Sequence, residues 1–236
     1  IKRSVYSFFY RFTNMVISVS HHSKDDFLKT FPRIGGEVQV IPNGLSIDVE
    51  FKKMKEFKPG DFNVIHVAGF SFEKNHSGML RIFGLIKKQL PSARLWLVGD
   101  GPLKSKIENE VADLNLNDVV FTGAVTNPLD YIGSTQVLVL PSIIEGLPGV
   151  ILEAMYCRTP VVAYDVGGIS EVLKAGETGW LVKANDEEGF VRAVLQVFSM
   201  DPDELGGVTK NANDLVVTQF DNRVIARRFL DMYKSL

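Results

Sequence analysis

The sequence predicts an α/β fold, a Rossmann-like doubly wound parallel sheet preceded by a small N-terminal remnant. Three observations carry this. Short apolar runs alternate with helix-period segments, six successive strand–helix units fit between Asn63 and Phe198, and several strands run into glycine just before a helix begins. Such alternation specifies parallel strands joined by right-handed crossover helices, with ligands at the carboxyl ends of the strands.

In order along the chain, an amphipathic helix is expected first, with Val5, Phe8, Phe9 and Phe12 on one face. Strands are expected at residues 15–20 and 38–42. After the charged stretch 51–60 they follow at 63–70, 94–99, 119–123, 137–141, 160–166 and 179–183. Helices are expected at 76–90, 103–114, 127–134, 148–157, 168–174 and 186–198, with two more at 203–220 and 223–234. Two strands before residue 51 are too few for a second domain of the same type. The expected division is therefore residues 1–50 as a remnant and linker, 51–220 as the Rossmann-like domain, and 221–236 as a helix packing back toward the N-terminal part.

The 236 residues suit one domain with extra pieces or two small ones. With 45% hydrophobic and 23% charged residues the chain is globular, and a net charge of −2 argues against nucleic acid as a partner. Cys157 stands alone, so no internal disulfide forms, and no Cys/His spacing suggests a metal site. A reducing cytoplasm is the expected compartment. No run reaches the ~18–20 apolar residues of a membrane span, and no signal peptide is recognisable. The chain starts with Ile1 inside an expected helix, as a fragment of a longer protein would.

Chemistry is expected at the strand ends. In Val98-Gly99-Asp100-Gly101-Pro102 the glycines allow either a tight turn or close approach of a ligand, and both readings stand. In the segment from Pro141 to Met155 a buried strand runs into a loop bearing Glu145, and Pro148 starts a helix that leaves the amides of Gly149 and Val150 free for an anion. Glu153 shares the stripe of Val150 and Cys157 and faces inward, where a carboxylate needs partners. Ribose hydroxyls would serve Glu153, and sugar hydroxyls Glu145. A cap for Glu145 and a buried ion pair for Glu153 are the plainer alternative.

The E-x7-E spacing of Glu145 and Glu153, set in P-S-x-x-E-G-x-x-x-V-x-L-E-A-M, resembles the signature of the retaining glycosyltransferases of the GT-B fold, the GT4-like "glycosyl transferases group 1" family. The resemblance extends to Val40-Ile41-Pro42-Asn43-Gly44, to Val98–Pro102, to Pro160–Ala163 with Gly167, Gly168 and Glu171, to Gly176 with Thr178-Gly179, and to the last helix. It implies the C-terminal, donor-binding half of the enzyme. Glu153 would hold the nucleotide ribose, Glu145 the donor sugar, and the stretch Gly146, Leu147, Pro148, Gly149 and Val150 the diphosphate. Lys74, after Gly69, matches the family's phosphate-binding lysine, and Glu145 and Lys74 are the catalytic candidates. A fixed ammonium and helix-end amides can stabilise the leaving diphosphate without a metal, and no cofactor is implied beyond the UDP- or GDP-sugar itself.

One departure stands out. Phe70 occupies the place where many relatives carry an arginine, so either the phosphate site is weaker or another residue takes that place: Asn75 or His76 by hydrogen bonds, His76 being equally well read as a helix-start residue, with Arg81 a weaker substitute. The base contact falls near Val125. The acceptor, a sugar or a lipid-linked sugar, would be held mainly by an N-terminal domain, and the isolated chain would bind nucleotide without turning over. A non-catalytic nucleotide-sugar-binding module and a sugar-nucleotide epimerase are the alternatives. A nicotinamide dehydrogenase is disfavoured by the lack of a clean G-x-G-x-x-G after the first core strand. His21 and His22 read as surface residues and Trp180 as packing. The aromatic group Tyr6, Phe8, Phe9, Tyr10 and Phe12 is the expected exposed patch, for an absent domain or a membrane surface.

Overall fold

The computed structural model describes residues 2–57 and 60–235. The side chain of Val5, part of the expected apolar stripe, and residues Lys58 and Pro59 of the charged stretch lie outside the described residues. Helix α1 (Lys2–Tyr10), strand β1 (Met15–Ser18), helix α2 (His21–Thr30) and strand β2 (Glu37–Val40) form the N-terminal part, in which β1 and β2 pair in parallel. Then come β3 (Phe62–Val67), α3 (His76–Gln89), β4 (Ala93–Val98), α4 (Lys104–Asp113), β5 (Val119–Gly123), α5 (Pro128–Ile132), β6 (Val137–Leu140), α6 (Gly149–Tyr156), β7 (Val161–Tyr164), β8 (Trp180–Val182) and α7 (Glu187–Ser199). Helices α8 (Pro202–Gln219) and α9 (Asn222–Lys234) close the chain.

The second sheet is six-stranded and wholly parallel, in the order β5-β4-β3-β6-β7-β8. The chain winds outward from β3 to β5, then returns to the centre and winds the other way from β6. That reversal makes the carboxyl ends of β3 and β6 the switch point of the sheet, the place where open α/β sheets bind ligands. Strand β6 is buried at every position, as a central strand covered on both faces should be. One core packs Phe83, Ile86, Phe190 and Val194 against one face, and a second packs Ile151, Met155, Ala212 and Val216 against the other.

Local chemistry starts the helices where the pattern expected them. Asp186, Asp201 and Asp221 each cap a first-turn amide, and Asn75 caps Gly78 from a left-handed conformation. The helix expected at 168–174 is instead a single 3-10 turn, Ile169–Glu171. The positive φ of +60° at Gly167 turns the chain sharply, and Lys174 is drawn off into a turn closed by Thr178. The apolar stripe of α1 is not buried either. Tyr6, Phe8, Phe9 and Phe12 are exposed, with Phe12 beyond the helix end, while Tyr10 packs edge-on to Phe27 and Phe31 of α2 and its C-cap.

The linker after β2 is fixed at several points. Leu45 exchanges backbone hydrogen bonds with Phe220 and Asn222, at the joint between α8 and α9. Tyr156 donates its hydroxyl to the Ile47 carbonyl, and the amides of Lys52 and Met54 bond Asp130 and Ser134. Ile225 and Met232 of α9 pack with Ile41.

Candidate active site

The loops after β3 and β6 are tied directly to one another. Ile143 donates its amide to the Glu73 carbonyl at 2.9 Å, and Asn75 donates its side-chain amide to the Pro141 carbonyl at 2.9 Å. Between these ties Lys74 Nζ meets Glu145 Oε1 at 2.7 Å, with the glutamate side chain 6% exposed and the lysine 28%. The two residues singled out as catalytic candidates, 71 positions apart, are thus an ion pair. The topology brings them together, since each follows one of the two strands that flank the reversal point.

Beside the pair, α6 begins with Gly149 behind Pro148, without a side-chain cap. The amides of Gly149 and Val150 make no hydrogen bond among the described residues, and no atom lies within 4 Å of where a Cβ on Gly149 would stand. The helix start is therefore an open, partly positive surface. One turn on, Glu153 has neither a hydrogen-bond nor an ion-pair partner among the described residues, and burial raises its carboxyl pKa above the ordinary value. A half-buried carboxylate left in this state costs folding energy, which a ligand's hydroxyls would recover. The plainer reading of an internal ion pair at Glu153 is thereby corrected. Neighbouring Cys157 has its thiol pushed up to about 12 by burial and the nearby Glu153 and Asp130 charges, which favours the protonated form.

Other expected contacts fall elsewhere. The Phe70 ring is fully buried, stacked on His76 at 4.1 Å, its amide bonds the Asp100 carbonyl and its carbonyl accepts from Leu103. Phe70 has no group left for a ligand. Asn75 bonds Gly78 and Pro141, and Arg81 bonds Glu187, so each is engaged within the protein. Gly99 and Gly101 are needed internally: a Cβ on Gly99 would sit 2.1 Å from the Ala68 carbonyl oxygen, and one on Gly101 2.7 Å from the Phe70 amide. The tight-turn reading accounts for both. Leu147 is buried, and Val125 and Val150 pack partly against the second core. Gly69 stays open, its nearest neighbour 3.6 Å away.

Sequence reading missed a histidine pair beneath the site. His66, near the carboxyl end of β3, donates Nδ1–H to the Val139 carbonyl at 2.8 Å, and its ring lies edge-on to His76 at 4.7 Å. Burial, with a contribution from the Lys74 charge, lowers His66 to about 4, and burial with the His66 and Lys74 charges lowers His76 to about 3. Both are neutral at pH 7. The available signal was one histidine interrupting an apolar strand, Asn63-Val64-Ile65-His66-Val67. Among the described residues no cluster of three His, Cys, Asp or Glu could hold a metal ion, and no helix is long and apolar enough to cross a membrane. A cavity of about 840 Å³ lies between β8, α7 and α8, away from this site.

A wholly parallel six-stranded sheet with a reversal point, helices on both faces and the Lys74–Glu145 pair at the strand ends defines a doubly wound α/β class of protein. Residues 48–213 match the profile of the family "Glycosyl transferases group 1", and the chain belongs to that family. The chain is 27% identical over 226 residues to the N-acetyl-alpha-D-glucosaminyl L-malate synthase of Bacillus anthracis, covering 92% of this chain and 59% of that one. It is 27% identical over 202 residues to the putative glycosyltransferase EpsD of Bacillus subtilis, covering 79% and 52% respectively. The chain thus spans about half the length of the curated relatives it matches. Among solved structures, Anabaena HepE in complex with UDP and glucose superposes with a TM-score of 0.88 at 22% identity, over 99% of this chain and 67% of that one. The sucrose-phosphate synthase of Thermosynechococcus elongatus superposes with a TM-score of 0.87 at 25% identity, over 99% and 61%. These neighbours carry the GT-B fold with the same Rossmann-like architecture.

Proposed function

We propose that this chain is the donor-binding part of a transferase that moves a sugar from a nucleoside diphosphate to an acceptor hydroxyl with retention of configuration. The observation that carries the reading is Glu153, a half-buried carboxylate without a partner, one turn above free amides that open to solvent. In this reading Glu153 accepts from the ribose hydroxyls, the Gly149 and Val150 amides and Lys74 Nζ meet the diphosphate, and Glu145 accepts from hydroxyls of the sugar. Bound donor divides the Lys74–Glu145 pair, since the diphosphate takes the ammonium and the sugar takes the carboxylate. Charge growing on the leaving diphosphate is then met by groups already in place, with no cofactor and no metal in the scheme. Family membership supports retention. The HepE complex with UDP and glucose supports a nucleotide-sugar donor.

The domain division at residues 50 and 220, an acceptor held mainly by a further N-terminal domain, and negligible turnover by these 236 residues alone belong to the same proposal. The greater length of the relatives supports it. A cytoplasmic setting and, for a lipid-linked acceptor, contact with the membrane's inner face are part of the same proposal, and the exposed aromatics of α1 offer a surface for that contact. A thermal-shift panel of uridine, guanosine and adenosine diphosphates and their sugar conjugates tests the donor reading. At least one pair should raise the melting temperature with concentration as RT ln(1 + [L]/Kd). No stabilisation by any of them would refute it.

A further inference from the structure

Three chain segments meet beside the donor loop with almost no side chain between them. Gly168 donates its amide to the Gly146 carbonyl at 2.7 Å. A Cβ on Gly167 would lie 1.9 Å from the Glu145 carbonyl oxygen, one on Gly168 2.6 Å from the Ser20 Cβ, and one on Gly146 3.3 Å from the Val19 methyl. The backbone of Glu145 is therefore seated on the 167–168 turn, and both rest against the end of β1 and the start of α2.

That junction is closed by one carboxylate. Glu171, at the end of the 3-10 turn that follows Gly168, accepts from the His21 amide through Oε2 and from the His22 amide through Oε1, each at 3.0 Å. These are first-turn amides of α2, which have no partner within their own helix, while Ser20 takes the Ser23 amide. The carboxylate also meets the positive end of the helix. Close beside these bonds is a recess of about 360 Å³ lined by Val19, His21, Leu147 and Glu171, so side-chain packing does not fill the junction. Glu171 is solvent-exposed, which makes its hold reversible.

We propose that Glu171 is a positioning residue for the donor site: by bonding the His21 and His22 amides it holds the N-terminal part against the 145–147 loop and so fixes where Glu145 stands. The proposal rests on the reading of Glu145 as the group that receives the donor sugar. Glu171 itself touches no ligand. Its loss should blur the sugar contact and leave the ribose and diphosphate contacts, which belong to α6 and Lys74.

The test compares the full chain with Glu171→Ala and Glu171→Gln, the second keeping one carbonyl acceptor in case alanine prevents folding. Hydrogen–deuterium exchange should quicken in both variants over residues 19–24 and also over 143–147. Quickening confined to 19–24 would make the contact a local cap and overturn the proposal. In titrations with UDP and UDP-glucose, GDP and GDP-mannose, and ADP and ADP-glucose, Glu171→Ala should cost the sugar conjugate that the parent chain binds about tenfold in affinity, in line with loss of a helix cap, with little change for its bare diphosphate. Equal loss for both would overturn it. Should the parent bind none of the six, the donor reading falls, and the exchange experiment alone decides whether Glu171 couples the two segments.

Discussion

Two strand ends of this sheet carry paired glycines, and they use them differently. At the end of β4, Gly99 and Gly101 have φ of +138° and +157° and lie against the Ala68 and Phe70 backbones, so their missing side chains make room for the protein itself. Past β6, Gly146 abuts Val19 whereas Gly149 faces nothing within 4 Å, so the latter makes room for something else. A glycine in a βα turn therefore points to a ligand only where the space it leaves stays empty. The same contrast separates Phe70, spent in the core, from Glu153, left without a partner.

Substitutions sharpen this contrast, and the largest effect belongs to the first strand end. Gly99→Ala forces a Cβ into the Ala68 carbonyl at a positive φ and should destabilise folding by ~3 kcal/mol or more, read from the urea midpoint. Gly149→Ala should leave that midpoint within ~0.5 kcal/mol and weaken diphosphate binding instead. Comparable destabilisation by both would erase the distinction between the two ends.

Lys74→Ala comes next. Losing a charge-assisted contact should cost a diphosphate ~2 kcal/mol of binding and the matching nucleoside little, and calorimetry that found equal losses would remove Lys74 from the phosphate site. The histidines beneath the site should contribute to the loss of stability in acid. Their folded pKa values of about 4 and about 3 lie below the ordinary 6.5, so the unfolded chain binds more protons. Stability present above pH 6.5 should fall as pH drops toward 4, by ~1.4 kcal/mol per pH unit for each histidine. In pH-dependent unfolding, His66→Gln should flatten that limb by one proton. An unchanged slope would mean that the ring is not held neutral.

The smallest effect is a gain. The raised pKa of Glu153 makes its charged form costly in the folded state, so the group's contribution is fully present below the unfolded value of 4.5 and is lost as pH rises through the higher folded value. Glu153→Gln should therefore stabilise the ligand-free chain at pH 7 and confer no gain at pH 4. A destabilised variant at pH 7 would point to a partner for the carboxylate.

Much of this was legible in the residues. Apolar runs such as Val137–Leu140, bounded by polar and proline positions, mark buried strands, and aspartates before acidic first turns mark helix starts. The E-x7-E segment placed Glu145 and Glu153 on a loop and a helix, where the structure has them. What could not be read were facts of tertiary geometry. Whether Gly99 spares room for a ligand or for Ala68, whether Asn75 reaches Pro141, and whether Glu171 crosses 150 positions to cap His21 depend on what the fold brings alongside. The 168–174 segment was misjudged because helical periodicity said nothing of the Gly167 turn, which gives the chain a direction a helix could not follow.

The central claim is that Glu153 waits for ribose hydroxyls, and calorimetry with a ribose-modified nucleotide tests it most directly. The diphosphate that binds best, and its 2′,3′-dideoxy form, would be titrated into the parent chain and into Glu153→Gln. The account predicts that the parent prefers the intact ribose about tenfold and that the variant loses this preference, binding both forms alike. An intact preference in the variant, or none in the parent, would contradict it.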